Sequence, residues 1–278
     1  MGKALSDKQI KQFCDDGFLS PVRFLDADEA RGYLARLETF ERKHPDLVGK
    51  LDFKANLLLD WIDGLARRDH ILDIVEDLVG PDILNWNATF RFKKPDGKAH
   101  AAWHQDSMYI KLKPFLVIAW LAVSAASAAH GCLKVIPGSH RRKLLQHAEG
   151  DSADSILSRA QYITEDFDDT GAVEAVLKPG EACLFDHRII HASGPNTSGE
   201  RRVGLLLDYL PTRAEKEGPR DSAMLVRGRD DFGHFDLETP PTGEATPENL
   251  EQQRQALEMI TTTMYDGSAF TPKGLVKV

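Results

Sequence analysis

Ten histidines occur in the 278 residues, and their neighbours separate those able to do chemistry from the rest. His104 is followed two positions later by Asp106, in Trp103-His104-Gln105-Asp106. On a strand, side chains at i and i+2 project from one face, so an imidazole and a carboxylate stand side by side. Completed by a distant histidine, such a pair makes the two-histidine, one-carboxylate set that holds Fe(II) and leaves positions open for a cosubstrate and O2. Taken alone, His-x-Asp is more commonly a hydrogen bond on a sheet. A third ligand is offered by His191, which follows the β-type run 182–186 and precedes the turn-forming Ala192-Ser193-Gly194-Pro195-Asn196. Eleven positions further on, Arg202 opens the apolar stretch 203–207. A guanidinium buried in a barrel needs an anion, and its planar fork suits a carboxylate. At a solvated strand start, Arg201 and Arg202 would need no partner. Iron ligands beside a carboxylate-binding arginine describe a site for 2-oxoglutarate. The pairs His100/His104 and His187/His191 have zinc-like helical spacing, but they lack the adjoining Glu of metalloproteases and lie in strand-like sequence.

The elements that must position these residues fall into three parts. The first eighty residues read as helices: Ser6 and Gln9 form a capping box before Ile10 and Phe13, a second helix covers roughly 26–43, and a third after Asp69 ends at Gly80-Pro81. From Ile83 to about Tyr209 the pattern is short and apolar or alternating, with turns such as Pro95-Asp96-Gly97 and Pro179-Gly180. Candidate strands are 83–93, 103–110, 115–123, 132–137, 173–178, 181–186 and 202–210. That many short strands predicts a sandwich, barrel or jelly roll, mainly β with flanking helices. Two polar insertions, 141–172 and 212–246, interrupt or follow this core, and loops of that length are usually lids or disordered. Thr246-Pro247 then caps a helix carrying Leu250, Leu257, Ile260 and Met264. One domain over 1–278 is expected, with a helical part to about 80, a β core over about 82–211, and a lid-like loop with its helix over 212–278.

Composition narrows the partners. Thirty-five basic against 43 acidic residues leave a net charge of −8, which disfavours nucleic acid and anionic membrane surfaces. No apolar run approaches a membrane span, and the N-terminus lacks a secretory apolar region. Met1-Gly2-Lys3-Ala4-Leu5-Ser6 fits the myristoylation pattern, a short match common by chance, and no second anchor accompanies it. Cys14, Cys132 and Cys183 lack zinc-like spacing and do not suggest a disulfide framework. A cytoplasmic protein acting on a small molecule is expected.

Three ordered motifs then carry a resemblance: Trp103-His104-Gln105-Asp106; Gly131-Cys132-Leu133-Lys134-Val135-Ile136-Pro137-Gly138-Ser139-His140-Arg141; and His191-Ala192-Ser193-Gly194-Pro195-Asn196 with Arg202. In these the chain resembles the phytanoyl-CoA dioxygenase family of Fe(II)/2-oxoglutarate oxygenases, from Leu5 to about Pro211. The resemblance implies a double-stranded β-helix (a cupin-like jelly roll), with His104, Asp106 and His191 as the iron ligands. It also implies that Arg202, helped by Ser193, anchors the distal carboxylate of 2-oxoglutarate, while Gln105 and Trp120 line the cosubstrate pocket. His140 falls in a turn that reads as structural, and His130 stands where the family usually has Asn. A narrower resemblance, through Lys54-Ala55-Asn56-Leu57-Leu58, Gly80–Leu84 and Trp86–Lys94, is to the subgroup that contains carrier-protein-dependent aliphatic halogenases. Those enzymes replace the carboxylate ligand with a small residue so that halide can bind. This chain keeps Asp106, which implies hydroxylation.

Candidate substrate-facing residues are Phe90 and Phe92 by strand alternation, Lys54 and Asn56 by subgroup position, and Arg227 in the long loop. Lys54 and Arg227 suggest a carboxylate- or anion-bearing substrate. Arg227 and His234 would be the contacts of a lid formed by 212–246. A carrier protein as substrate bearer is compatible with the subgroup but not indicated. The same iron site could also drive desaturation, epoxidation or cyclisation. From another class, a non-catalytic jelly-roll binding module would fit the strands, but it has no use for a carboxylate clamp at Arg202.

Overall fold

The computed structural model describes residues 2–264. Met1, with the start of the myristoylation pattern, and 265–278, the end of the C-terminal segment, lie outside the described residues. Two sheets face each other with helices packed on the outer side of the larger one. That sheet runs in the order Phe18–Arg23, Glu181–Asp186, Val117–Ala122, Arg202–Pro211, Ile83–Lys93, Ser222–Arg227, Asp236–Leu237. The smaller sheet runs Ala101–His104, His191–Ser193, Leu133–Val135, Val173–Ala175. This is the jelly-roll arrangement, mainly β with flanking helices.

Period-two alternation sorts the large sheet into two faces. Along Arg202–Pro211, Val203, Leu205, Leu207 and Tyr209 join the core shared with the helices, where Leu37, Leu65 and Ile71 also lie. Ile118, Trp120, Cys183 and Phe185 turn instead toward the space between the sheets. The helices form for local reasons. Ser6 and Gln9 make the expected reciprocal capping box on Asp7–Asp16, and Asp26 with Glu29 does the same for Ala27–Lys43. Gly17 closes the first helix in the left-handed conformation (φ 79°). In Pro247–Met264, Leu257 and Ile260 are buried in the inter-sheet core.

Two expectations need correction. The first eighty residues are not all helical: Phe18–Arg23 is a strand paired antiparallel with Glu181–Asp186. It is too short to show a period, its pairing is entirely long-range, and Pro21 is tolerated because this strand forms one edge of the sheet. Nor is 212–246 a loose lid. Ser222–Arg227 pairs with Ile83–Lys93 and Asp236–Leu237 pairs with Ser222–Arg227, so short charged connections had disguised two strands. The segment that reaches the inter-sheet space is the other insertion, where Ile156 and Leu157 line the cavity described below. Among the described residues, no helix is long and apolar enough to cross a membrane.

Candidate active site

His104 ends one strand of the smaller sheet and His191 begins its neighbour, and the two are direct cross-strand partners. Their rings lie 4.0 Å apart. The strand expected over 103–110 is instead Ala101–His104, and the chain then turns into a short 3-10 helix at Asp106–Met108, so the Asp106 carboxylate reaches the two imidazoles from a turn and not from the same strand face. Its oxygens stand 3.4 Å from His104 Nε2 and 3.5 Å from His191 Nε2. One ligand atom from each residue fits within a 4.8 Å cluster, and both histidines are buried.

The hydrogen bonds fix which nitrogen faces the cluster. His104 Nδ1 lies 2.7 Å from the Ala102 carbonyl and His191 Nδ1 lies 3.0 Å from the Ile189 carbonyl. A carbonyl can only accept, so each Nδ1 carries the proton and each Nε2 presents its lone pair, the arrangement a metal-binding histidine requires. Burial, reinforced by the neighbouring His104, pushes the His191 pKa down to about 4, leaving it neutral near pH 7. Burial works against the Asp106 charge; a proton held on the facing His191 and a hydrogen bond from His104 outweigh it and hold the carboxyl well below the usual range, and with both rings neutral that stabilising positive charge is what a bound cation would supply. Two neutral nitrogens and one carboxylate are the donor set for a divalent first-row metal with open positions.

A cavity opens beside this cluster, and Trp120, Ser193 and Arg202 are among its lining residues. Arg202 is 1% exposed, its Nη1 donates to the Gly131 carbonyl, and its Nε has no partner. Among the described residues no carboxylate pairs with it. Burial lowers its pKa to about 10, and a buried guanidinium without an anion is costly. Such a group fits a dianionic cosubstrate. Lys93, which the sequence reading passed over, pairs in register with Arg202 and donates to Ser193 Oγ at 2.7 Å. Set between Arg91 and Lys94 and just ahead of the turn at Pro95-Asp96-Gly97, it carries no local signal of burial.

Packing sets the position of the Arg202 guanidinium, which lies 5.1 Å from the Trp120 ring centroid. That ring fills the space beside Gly204, where an added Cβ would come within 2.3 Å of Trp120 Cζ2. Gly204→Ala is therefore expected to cost about 1–3 kcal/mol as an overpacked core, read as a lowered midpoint of thermal unfolding. An unchanged midpoint would show that Trp120 is free to move.

Several expected site residues lie elsewhere. Gln105 points away from the cavity: Nε2 donates to the Arg188 carbonyl and Oε1 accepts from Leu145 N–H, since a residue between two cavity-facing neighbours takes the opposite face. Phe90 and Phe92 face the helices, stacked at 5.8 Å, and Phe90 lies 6.3 Å from Trp61. The cause is a bulge: the register slips between Asp208↔Asn87 and Tyr209↔Asn85, so the alternation changes phase at Trp86. Asn87, Thr89 and Arg91 then line the inter-sheet space. Lys54 is fully buried away from the cavities, its Nζ held by the Trp86 and Ser222 carbonyls and by Glu238. Asn56 is fully buried in the short helix Ala55–Leu58 and lines neither cavity. Arg227 is paired with Asp69, Asp73 and Glu76 on the helix Asp69–Val79. His234 bonds the Ala214 carbonyl at 3.0 Å, and neither residue covers the cluster. His130 holds Ser127 Oγ at 2.7 Å and His140 lies 3.2 Å from the Cys14 carbonyl.

Known proteins agree with this geometry. Over 228 residues the chain is 28% identical to a probable alpha-ketoglutarate-dependent hypophosphite dioxygenase of Stutzerimonas stutzeri, covering 74% of this chain and 79% of that one. It is 32% identical to the peroxisomal phytanoyl-CoA dioxygenase of Mus musculus, over 72% of this chain and 67% of the mouse protein. Against several other curated relatives the match spans 41 to 53% of the relative's length. Among solved structures, the apo form of the non-heme monooxygenase ThoJ superposes with a TM-score of 0.83 at 29% identity, covering 93% of this chain and 98% of that one. The phytanoyl-CoA dioxygenase family model matches residues 13–204, well over half of the chain. The chain belongs to that family, and it is a 2-oxoglutarate-dependent dioxygenase whose cofactors are Fe(II), 2-oxoglutarate and O2.

Proposed function

We propose that the protein hydroxylates an unactivated C–H bond of a small, anion-bearing metabolite, releasing succinate and CO2. The observation that carries this reading is the cluster of His104, Asp106 and His191 beside a buried Arg202 that has no carboxylate partner among the described residues. His104, Asp106 and His191 would hold Fe(II), and Arg202, Ser193 and Trp120 would receive 2-oxoglutarate. Bound iron supplies activation of O2 coupled to oxidative decarboxylation of the cosubstrate. The protein's part is placement and shielding. The Nδ1 hydrogen bonds of both histidines keep the Nε2 lone pairs on the cluster, and Ile156 and Leu157 wall the cavity against water.

Retention of Asp106 supports hydroxylation over halogenation, because the carboxylate occupies the position a halide would need. Lys54 and Arg227 no longer support an anionic substrate, since both are paired elsewhere. Arg91 takes their place: it lines the cavity beside Asp106 and, although Nη1 bonds Asp52 and backbone oxygens, none of its hydrogen bonds among the described residues uses Nε or Nη2. The relative named for hypophosphite, a small anion, agrees with such a preference.

The test is succinate formation with Fe(II), O2 and 2-oxoglutarate across amino acids, acyl thioesters and hypophosphite. A substrate should raise succinate above its background and yield an organic product one oxygen atom heavier. A product lighter by two hydrogens would replace hydroxylation by desaturation, and no 2-oxoglutarate consumption under any condition would remove the cofactor assignments.

A further inference from the structure

A second chamber adjoins the cluster, sharing Arg91, Asp106, Leu157 and Leu206 with the first. Its walls are partly aromatic, with Phe53, Trp86 and Tyr109, and they include Asp208. This carboxyl is 4% exposed. Its Oδ2 accepts from Asn87 Nδ2 at 3.1 Å, while Oδ1 is buried with no partner. Asn87 has nothing more to give: its Oδ1 accepts from the Lys54 backbone N–H at 2.7 Å and its Nδ2 also donates to Thr89 Oγ1 at 2.8 Å. Among the described residues, no lysine, arginine or histidine forms a salt bridge with Asp208. A buried carboxylate without a cation is costly, and one neutral amide does not offset that cost. Within the same chamber Arg91 directs only Nη1 at Asp52 and backbone oxygens. The chamber beside the cluster therefore offers an incompletely used guanidinium, an unpaired carboxylate oxygen and an apolar wall.

We propose that Asp208 anchors a protonated amine of the substrate while Arg91 receives its anionic group, so that the substrate is a small zwitterion of the α-amino-acid type. The inference rests on the iron assignment only for placing the chamber beside the reacting centre. A hydroxyl could satisfy the Oδ1 lone pair but would leave the carboxylate charge uncompensated; an ammonium does both. The surroundings agree: burial, with the nearby Asp106, pushes the Asp208 pKa up to about 7, against the Asn87 hydrogen bond and the charges of Arg91 and Lys54. A carboxyl so poorly stabilised by the protein alone is one that a cationic ligand would favour in its charged form.

The experiment titrates L-norvaline, 2-hydroxypentanoate, pentanoate and hypophosphite calorimetrically into the full chain without O2, so binding is read without turnover. Each titration is run with and without Fe(II) and 2-oxoglutarate. 2-Oxoglutarate is also titrated by itself into the Fe(II)-loaded chain; its failure to bind would count against the proposed function, while the preference among the probes stays readable. L-Norvaline should bind at least about tenfold more tightly than the three probes lacking the amine. In Asp208→Asn, which keeps the shape and the Asn87 contact but removes the charge, that gap should shrink to about twofold. Equal binding of the hydroxy acid and the amino acid, stronger binding of pentanoate or hypophosphite, no binding of L-norvaline, or a gap that survives in a folded Asp208→Asn would each overturn the assignment. Should the variant not fold, the wild-type series decides alone.

Discussion

Asp106→Ala is expected to abolish substrate-dependent succinate formation and to weaken Fe(II) binding by well over tenfold, with the fold retained. Changes to groups that merely orient metal ligands already cost about 10–100-fold, and Asp106 is the only anion in the cluster. Its two oxygens stand 3.4 and 3.5 Å from the flanking imidazoles. Without it, two neutral nitrogens on adjacent strands would have to hold a divalent ion alone. The backbone does not depend on the carboxylate, because the 3-10 turn is closed by Tyr109 N–H and Ile110 N–H on the Asp106 carbonyl. Iron titration, succinate release and thermal unfolding together check the claim. Wild-type turnover by Asp106→Ala without added halide would show that iron, if bound, uses other residues.

What the sequence made legible was whatever rests on local spacing. His104 and Asp106 at i and i+2 predicted a shared cluster, although a turn and not a common strand face brings the carboxylate to it. Arg202 ahead of an apolar run left a buried anion-binding guanidinium and a solvated strand start both open, and its 1% exposure decides between them. What it hid were phase and pairing. The bulge at Trp86 moves Asn87, Thr89 and Arg91 onto the inner face and Phe90 and Phe92 onto the helices. The whole Ile83–Lys93 strand is buried or half-buried, so neither phase was marked by exposure. Lys54 carries a charge, and a charge suggested a ligand; its partner Glu238 lies 184 positions away, beyond any local pattern. The two insertions exchanged roles for the same reason. The pairing of Ser222–Arg227 with Ile83–Lys93 is invisible before the fold brings them together. Asp208, likewise, reads as one polar residue in an apolar strand, and only the cavity beside it shows an oxygen without a partner.

Arg202→Ala is expected to raise the apparent KM for 2-oxoglutarate more than tenfold and to leave Fe(II) affinity little changed. The guanidinium is buried, its Nε has no partner, and among the described residues no carboxylate competes for it. A charge-assisted bidentate contact in so dry a site contributes about 2–4 kcal/mol, which corresponds to a factor of roughly 30 to 1,000 at about 1.4 kcal/mol per tenfold. Lysine should not restore it. A point charge on a flexible stem lacks the planar fork, and the position is already beside Lys93, whose Nζ donates to Ser193 Oγ. Burial with the adjacent guanidinium already pulls the Lys93 pKa down to about 6, and a lysine amine at 202 in the same dry site would lose its charge for the same desolvation reason. The prediction separates two roles that loss of activity alone would confuse. If Arg202 only supports the loop at Gly131 through its Nη1 bond, the variant should lose stability and iron affinity together, with an unaltered cosubstrate dependence. If it holds the distal carboxylate, saturating 2-oxoglutarate should restore much of the turnover in Arg202→Ala, and the iron titration should overlay that of the wild type.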